Sequence, residues 1–307
     1  MVEAILDTDI GSDVDDALAL CLALVSGEIE LLGVTTVYGQ TLVRARLARA
    51  LARAAGHGEL PVFAGLELPL LRERPVHWMG HEGIGVDLAR SDLAPDQGSA
   101  VDFIVRTIRE RPGRVSIIAI GPLTNVAAAI IVAPDIVALA REVIFIGGVA
   151  RLAPNRLDVP SIEWNVRCDP EAARVVFRSG MKVTMLGMDV TRREETHMDQ
   201  SHLQALRDAP SPLARMAACL VEVYWGTIGN DLRFMHDVVA VAFSFDRSLV
   251  LTEPLDVVIE TTGTHTQGFT LVTRGKPENP VRVGTGLDGT RIRTLFFDRV
   301  CAPLTGR

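Results

Sequence analysis

The segment Asp7-Thr8-Asp9-Ile10-Gly11-Ser12-Asp13-Val14-Asp15-Asp16 places five carboxylates within ten residues. Two like charges about 4 Å apart repel by roughly 4 kcal/mol at an effective dielectric of about 20. Three or more held together must therefore take up protons or bind a cation. An all-oxygen donor set favours Ca2+ or Mg2+ over Zn2+, which prefers nitrogen and sulfur. A helix start is the simpler explanation: Ser12 stands three residues before Asp15 as in a capping box, and acids favour a helix N-terminus. It accounts for Ser12 and one or two acids, but not for Asp7 and Asp9. A divalent-metal site is the expectation.

The elements around this run alternate. Val2–Leu6 reads as a strand, Ala17–Val25 as a buried helix, Ile29–Val37 as a strand and Thr41–Ala55 as an amphipathic helix. Pro61–Ala64 (strand), Ala100–Glu110 (helix), Arg114–Ile120 (strand), Asn125–Val132 (helix) and Val143–Ile146 (strand) continue the pattern. Asp169–Arg178 and Lys182–Met188 add one more helix and strand. Strands separated by helices imply βαβ crossovers and a mainly parallel sheet covered on both faces. After Val190 come helical stretches, Gln200 to Trp225 and Asp237 to Phe243, then short alternating runs at Leu255–Thr261, Phe269–Val272 and Arg291–Phe297. The expected class is α/β: a Rossmann-like, mainly parallel sheet flanked by helices, with a C-terminal helical and short antiparallel strand addition. No linker-like stretch divides the chain, so residues 1–307 are expected to form one unit. The acidic run then falls at the carboxyl end of the first strand, where open α/β sheets bind ligands.

Composition narrows the classes. With 31 Lys and Arg against 38 Asp and Glu, the net charge of −7 gives no global attraction to nucleic acid or anionic lipid. The four cysteines form no CxxC pair, which favours reduced thiols over a disulfide scaffold. The longest apolar run, Ala17 to Val25, is far short of the ~20 residues that cross a bilayer. No basic-then-apolar signal segment opens the chain. A cytoplasmic protein with no nucleic-acid and no membrane partner is expected.

Two other patterns meet the acidic run: one fails and the other is left as a rival. An EF-hand loop needs Gly at its sixth position and Glu at its twelfth, and counting from Asp7 these are Ser12 and Leu18. The haloacid-dehalogenase phosphatases share Asp-x-Asp after a first strand but carry Thr or Val where this chain has Gly11. Further blocks follow in order: Thr35-Thr36-Val37-Tyr38-Gly39, Gly121-Pro122-Leu123-Thr124-Asn125, Gly147-Gly148, Glu163-Trp164-Asn165 with Asp169-Pro170-Glu171-Ala172-Ala173, and His236-Asp237. Together with the acidic run, this ordered set resembles the inosine-uridine-preferring nucleoside hydrolase family. The family signature is Asp-x-Asp-x-Gly-x-Asp-Asp, and here two extra residues separate Gly11 from Asp15-Asp16.

The resemblance implies calcium-dependent hydrolysis of the N-ribosidic bond of purine or pyrimidine nucleosides, releasing base and ribose. Asp9, Asp16, Asp237 and the Ile120 carbonyl would ligate Ca2+, and Asp9 would also accept a proton from the metal-bound water. Asp15 would hold a ribose hydroxyl, a role Asp13 could take instead because of the insertion. Glu163, Asn165 and Asn155 would contact the sugar, with Asp237 beside them, and His236 would donate a proton to the leaving base. Gln40 replaces the family's usual Asn, and His77 or His81 stands in for a displaced loop histidine, giving Gln40 and His81 as further substrate contacts. A homodimer or homotetramer is implied. Two rivals are a Mg2+-dependent phosphohydrolase with Asp7 as nucleophile and a ribose-binding homologue silenced by changes such as Gln40.

Other candidates have plainer explanations. Gly284-Thr285-Gly286-Leu287-Asp288-Gly289 fits GxGxxG, but with Arg291–Phe297 taken as a strand it reads as a hairpin turn. Arg44, Arg46, Arg49 and Arg53 read as a solvated helix face. Trp164 is expected to pack under the sugar site.

Overall fold

A computed structural model describes residues 1–150, 162–228, 234–273 and 280–304. β1 (Val2–Thr8), buried along its whole length, leads through the acidic loop into α1 (Asp15–Val25). β2 (Ile29–Thr36), α2 (Thr41–Ala54), β3 (Val62–Ala64), α3 (Ala100–Glu110) and β4 (Val115–Ala119) follow. Next come α4 (Thr124–Val132), α5 (Ile136–Leu139), β5 (Glu142–Ile146), α6 (Trp164–Cys168), α7 (Pro170–Arg178), β6 (Val183–Leu186) and α8 (Met188–Thr191). The remainder is α9 (Gln200–Asp208), α10 (Pro212–Ile228), α11 (His236–Phe245), β7 (Val250–Ile259), β8 (Thr270–Thr273), β9 (Val281–Leu287) and α12 (Gly289–Val300).

The strands form one sheet in the order β3-β2-β1-β4-β5-β6-β9-β7-β8. Every neighbour from β3 to β9 is parallel, while β7 runs antiparallel to both β9 and β8. The order turns back between β1 and β4, which opens a crevice at their carboxyl ends. Helices cover both faces. Leu18 and Leu22 of α1, Leu47 and Leu51 of α2 and Val238 of α11 pack on one side. Phe103 and Ile104 of α3, Val126 of α4 and Val176 of α7 pack on the other. α1 is apolar nearly all round because it lies beneath α10, α11 and α12 rather than at the surface.

The α/β architecture and the antiparallel addition agree with the sequence, with three corrections. The stretch Arg291–Phe297 is helical, inside α12: Ile292, Phe296 and Val300 recur every four residues and are fully buried. Its alternating look concealed that spacing. Consequently Gly284 and Gly286 lie within β9 and a helix does follow, although Asp288 itself caps it by accepting the Arg291 amide at 3.1 Å. Glu195 fills the space beside Gly289, so no phosphate cradle is left there. Gln200 to Trp225 divides into α9 and α10 around Pro210, and β9, absent from the sequence reading, joins the sheet in parallel with β6.

Candidate active site

The acidic loop is built from close backbone approaches. Gly11 has φ +109°, a left-handed geometry that favours glycine. Gly121, just past β4, lies so near the loop that a Cβ would come within 2.8 Å of the Asp9 amide nitrogen. The Thr8 hydroxyl donates to the Asp16 carboxylate and accepts the Ile10 amide at 3.0 Å. Helix α1 starts at Asp15, with Val14 at its cap position and no side-chain cap. Ser12 is thus not the helix cap: its hydroxyl donates to Glu82 at 3.1 Å and accepts from Arg44 at 2.9 Å.

Packing of α11 on α1 brings Asp237, the second residue of α11, onto Asp15 and Asp16. Carboxylate oxygens of these three lie within 4.8 Å of one another. They line a cavity of about 310 Å³ that Asp9, Asp13, Glu163 and Asn165 also line, a size in the range of small-molecule sites. Across the crevice, Asn165 Nδ2 donates to the carbonyls of Ile120 (2.8 Å) and Ile146 (3.0 Å), joining the ends of β4 and β5. The Glu163 carboxylate caps α6, accepting the amides of Asn165 (2.8 Å), Val166 (3.0 Å) and Gly148 (2.9 Å). Trp164, Met188, Thr191 and His236 complete much of the wall.

The electrostatics follow from burial. Asp15, Asp16 and Asp237 are each at most 5% exposed. Desolvation first, then repulsion from neighbouring acids (Asp13 and Asp9 on Asp15, Asp9 and Asp15 on Asp16, Asp15 and Asp16 on Asp237), raises all three carboxyls well above the ordinary range. No Lys or Arg forms an ion pair with them among the described residues. Only oxygen donors converge here, so the group fits a hard divalent cation. Asp9 is pushed up to about 6 by burial, against the Arg44 cation and a hydrogen bond from the Trp164 side chain, and with the repulsion of Asp13. Burial and then Arg192 bring His236 down to about 4, while its Nδ1 sits 2.8 Å from the Thr191 hydroxyl.

Residues 4–294 match the model of the family described as inosine-uridine preferring nucleoside hydrolase. The chain belongs to this family. It is 32% identical over 303 residues to the pyrimidine-specific ribonucleoside hydrolase RihA of Salmonella typhi, covering 93% of this chain and 94% of that protein. It is 34% identical over 282 residues to the protein C1683.06c of Schizosaccharomyces pombe, covering 88% and 89%. The fold superposes on a purine-preferring ribonucleoside hydrolase from Gardnerella vaginalis with a TM-score of 0.83 and 31% identity, covering 97% and 98%. This nucleoside hydrolase is therefore a hydrolase of N-glycosyl bonds acting on ribonucleosides.

In the nucleoside hydrolase the expected residues divide. Asp9, Asp15, Asp16, Ile120, Glu163, Asn165, His236 and Asp237 all line one cavity. Within it the convergent triple contains Asp15 where the sequence reading put Asp9. His81 is not in that wall: it is buried behind the loop, with Nε2 2.8 Å from the Ser12 carbonyl, and lines a small neighbouring cavity with Asp13 and Tyr224. Gln40 is exposed before α2 and does not line the cavity. Asn155 lies outside the described residues. Asp7 is fully buried, its Oδ1 bonded by Thr35 (2.6 Å) and Asn125 (2.8 Å), so it cannot meet a substrate as a nucleophile. The solvated arginine face is also corrected: Arg44 is 0% and Arg49 6% exposed. Arg44 and the Trp164 indole are contacts the sequence reading missed. Among the described residues no helix is long and apolar enough to cross a membrane.

Proposed function

We propose that this chain is a calcium-dependent ribonucleoside hydrolase that cleaves the N-ribosidic bond of purine or pyrimidine nucleosides, releasing free base and ribose. The observation that carries the reading is the convergence of Asp15, Asp16 and Asp237 in the cavity that Asp9 and His236 share. Asp15, Asp16 and Asp237 would hold the ion, with the Ile120 carbonyl, already accepting from Asn165, as a further oxygen at the same wall. Bound there, a divalent cation supplies Lewis-acid polarisation of the attacking water and the sugar hydroxyls.

The chain's own groups do the rest. Asp9 takes the proton of the attacking water, and a carboxyl near 6 is poised for that task at neutral pH. The surrounding carboxylates favour the positive charge that develops on the sugar in an oxocarbenium-like transition state. Asn165 has both Nδ2 protons engaged by carbonyls, which leaves its Oδ1 to accept from a sugar hydroxyl. Glu163 keeps a lone pair on Oε1 for a second hydroxyl. His236 meets the leaving base as a neutral imidazole, since burial keeps it uncharged above pH 4. Neither rival has support in the site: Asp7 is sealed away, and Gln40 does not line the cavity.

Incubation with inosine, uridine and a sugar phosphate, with and without chelator, tests the reading. Reducing sugar released from a nucleoside and abolished by chelator is the expected result; phosphate release, or binding without product, would overturn it. From the family resemblance we extend the proposal to a homodimer or homotetramer in the cytoplasm, to be checked by light scattering and by fractionation.

A further inference from the structure

We infer that Arg44 is a positioning residue that fixes both the Asp9 peptide and the Trp78–Glu82 segment, which carries Met79 into the cavity wall, an assignment resting on Asp9 as the base. Arg44 is fully buried, which an arginine rarely is without a carboxylate partner. Its partners are mostly backbone. Nε donates to the Tyr38 carbonyl at 2.7 Å, Nη1 to the carbonyls of Asp9 and of Ile10 (2.9 Å), and Nη2 to the Ser12 hydroxyl at 2.9 Å. Two consecutive carbonyls turned inward to one guanidinium fix the peptide planes on either side of Ile10, and with them the direction in which Asp9 leaves the chain.

The same guanidinium holds the segment that carries Met79. The Ser12 hydroxyl donates a hydrogen bond to Glu82, and Glu82 accepts the amides of Met79 (3.0 Å) and Gly80 (2.7 Å). Met79 lines the cavity. The Trp78 ring lies over the guanidinium, 5.0 Å from centroid to Cζ. Room for that ring comes from the preceding turn: a Cβ on Gly39 would come within 2.8 Å of Trp78. Tyr38, the one non-glycine with positive φ (+64°) among the described residues, offers its carbonyl to Arg44 in this strained geometry. A lysine could not serve, because four acceptors around a plane require the fork of a guanidinium.

The test uses the full-length protein with Ca2+ and whichever of inosine or uridine it turns over faster. Arg44→Ala should lower kcat by about 10²-fold, as expected for a sub-ångström to ångström misplacement of a reacting group, with KM changed by less than about threefold. Added guanidinium should restore part of the loss, and should do nothing for Glu163→Gln. Ser12→Ala and Glu82→Gln should speed amide exchange at Met79 and Gly80 and lower kcat less. A folded Arg44→Ala enzyme with wild-type kcat would overturn the assignment. If Arg44→Ala does not fold, unchanged exchange and unchanged kcat in both Ser12→Ala and Glu82→Gln would overturn it instead. Should the wild type hydrolyse no nucleoside, the hydrolase reading fails, while the exchange measurement still decides whether Arg44 organises this wall.

Discussion

Replacing Asp7 with Asn should flatten the pH dependence of stability in the metal-free protein. Asp7 is fully buried, and while its Oδ1 accepts two hydrogen bonds, its Oδ2 has no partner. Burial, partly offset by Asn125 and Thr35, raises the carboxyl from 3.8 to about 7. The sign follows from linkage: between these two values the native state binds a proton that the unfolded chain has lost, so stability falls as pH rises through that window. From pH 5 to pH 7 the slope is about 1.4 kcal/mol per unit, so the wild type should lose about 2–3 kcal/mol through this one group. Asparagine keeps the Oδ1 acceptor and removes the charge. Its unpaired amide costs about 1–3 kcal/mol, but equally at every pH. Urea melts of both proteins in chelator at pH 5 and pH 8 isolate the titration as a difference of differences. The advantage of the variant should grow by about 2–3 kcal/mol between the two pH values. Parallel curves would show that Asp7 is already ionised in the fold and refute the argument.

Three further outcomes test the site itself. Asp9→Asn should lower kcat by about 10²- to 10⁴-fold while nucleoside still binds, and wild-type kcat/KM should fall on the acid side as this base protonates; near-normal rates in the variant would remove the base assignment. Calcium at about 100 times its Kd should stabilise the wild type by roughly 2.7 kcal/mol. Asp237→Ala should lose most of that gain in thermal melts and bind less calcium, and an unchanged stoichiometry would contradict its role as ligand. His236→Ala should slow inosine or uridine more than an activated nitrophenyl riboside, because only the poor leaving group needs a hydrogen bond on departure; equal losses on both would argue against that contact.

Much of this molecule is legible in its sequence because two periodicities and one charge anomaly dominate it. β1, α1 and β4 follow from runs that are mostly apolar, and the acidic run from the end of β1 to the start of α1 has no helix-start explanation that accommodates all five carboxylates. α12 was misread because Arg291, Arg293 and Thr294 interrupt its apolar positions and imitate a strand. Arg44 was legible but not read: it lies three residues before Leu47 and four before Ala48, on the stripe that α2 buries, so a charge there faces the core. The His236–Thr191 pair could not be foreseen, since nothing local links a hydroxyl at the end of α8 to the first residue of α11. Asp15 and Asp13 were left as alternatives for one role. Both line the cavity, but Asp15 belongs to the buried triple while Asp13 accepts the Tyr224 hydroxyl at 2.7 Å.

The way the carboxylates are held explains why a cation and a nucleoside can be served by the same crevice. Four of the acids that line it are held by neighbours that do not neutralise them: Thr8 on Asp16, the Asp237 amide on Asp15, the Trp164 indole on Asp9, three amides on Glu163. Neutral donors fix direction while leaving the negative charge to act on whatever enters. Ion pairs would have cancelled more of that charge, and the buried Arg44 nearby turns its donors to three backbone carbonyls and the Ser12 hydroxyl instead. The crevice therefore combines fixed geometry with unspent negative potential, which is the condition under which preorganised groups stabilise a cationic transition state more than a neutral ground state. The raised carboxyl pKa values show that holding these charges together away from water costs the fold.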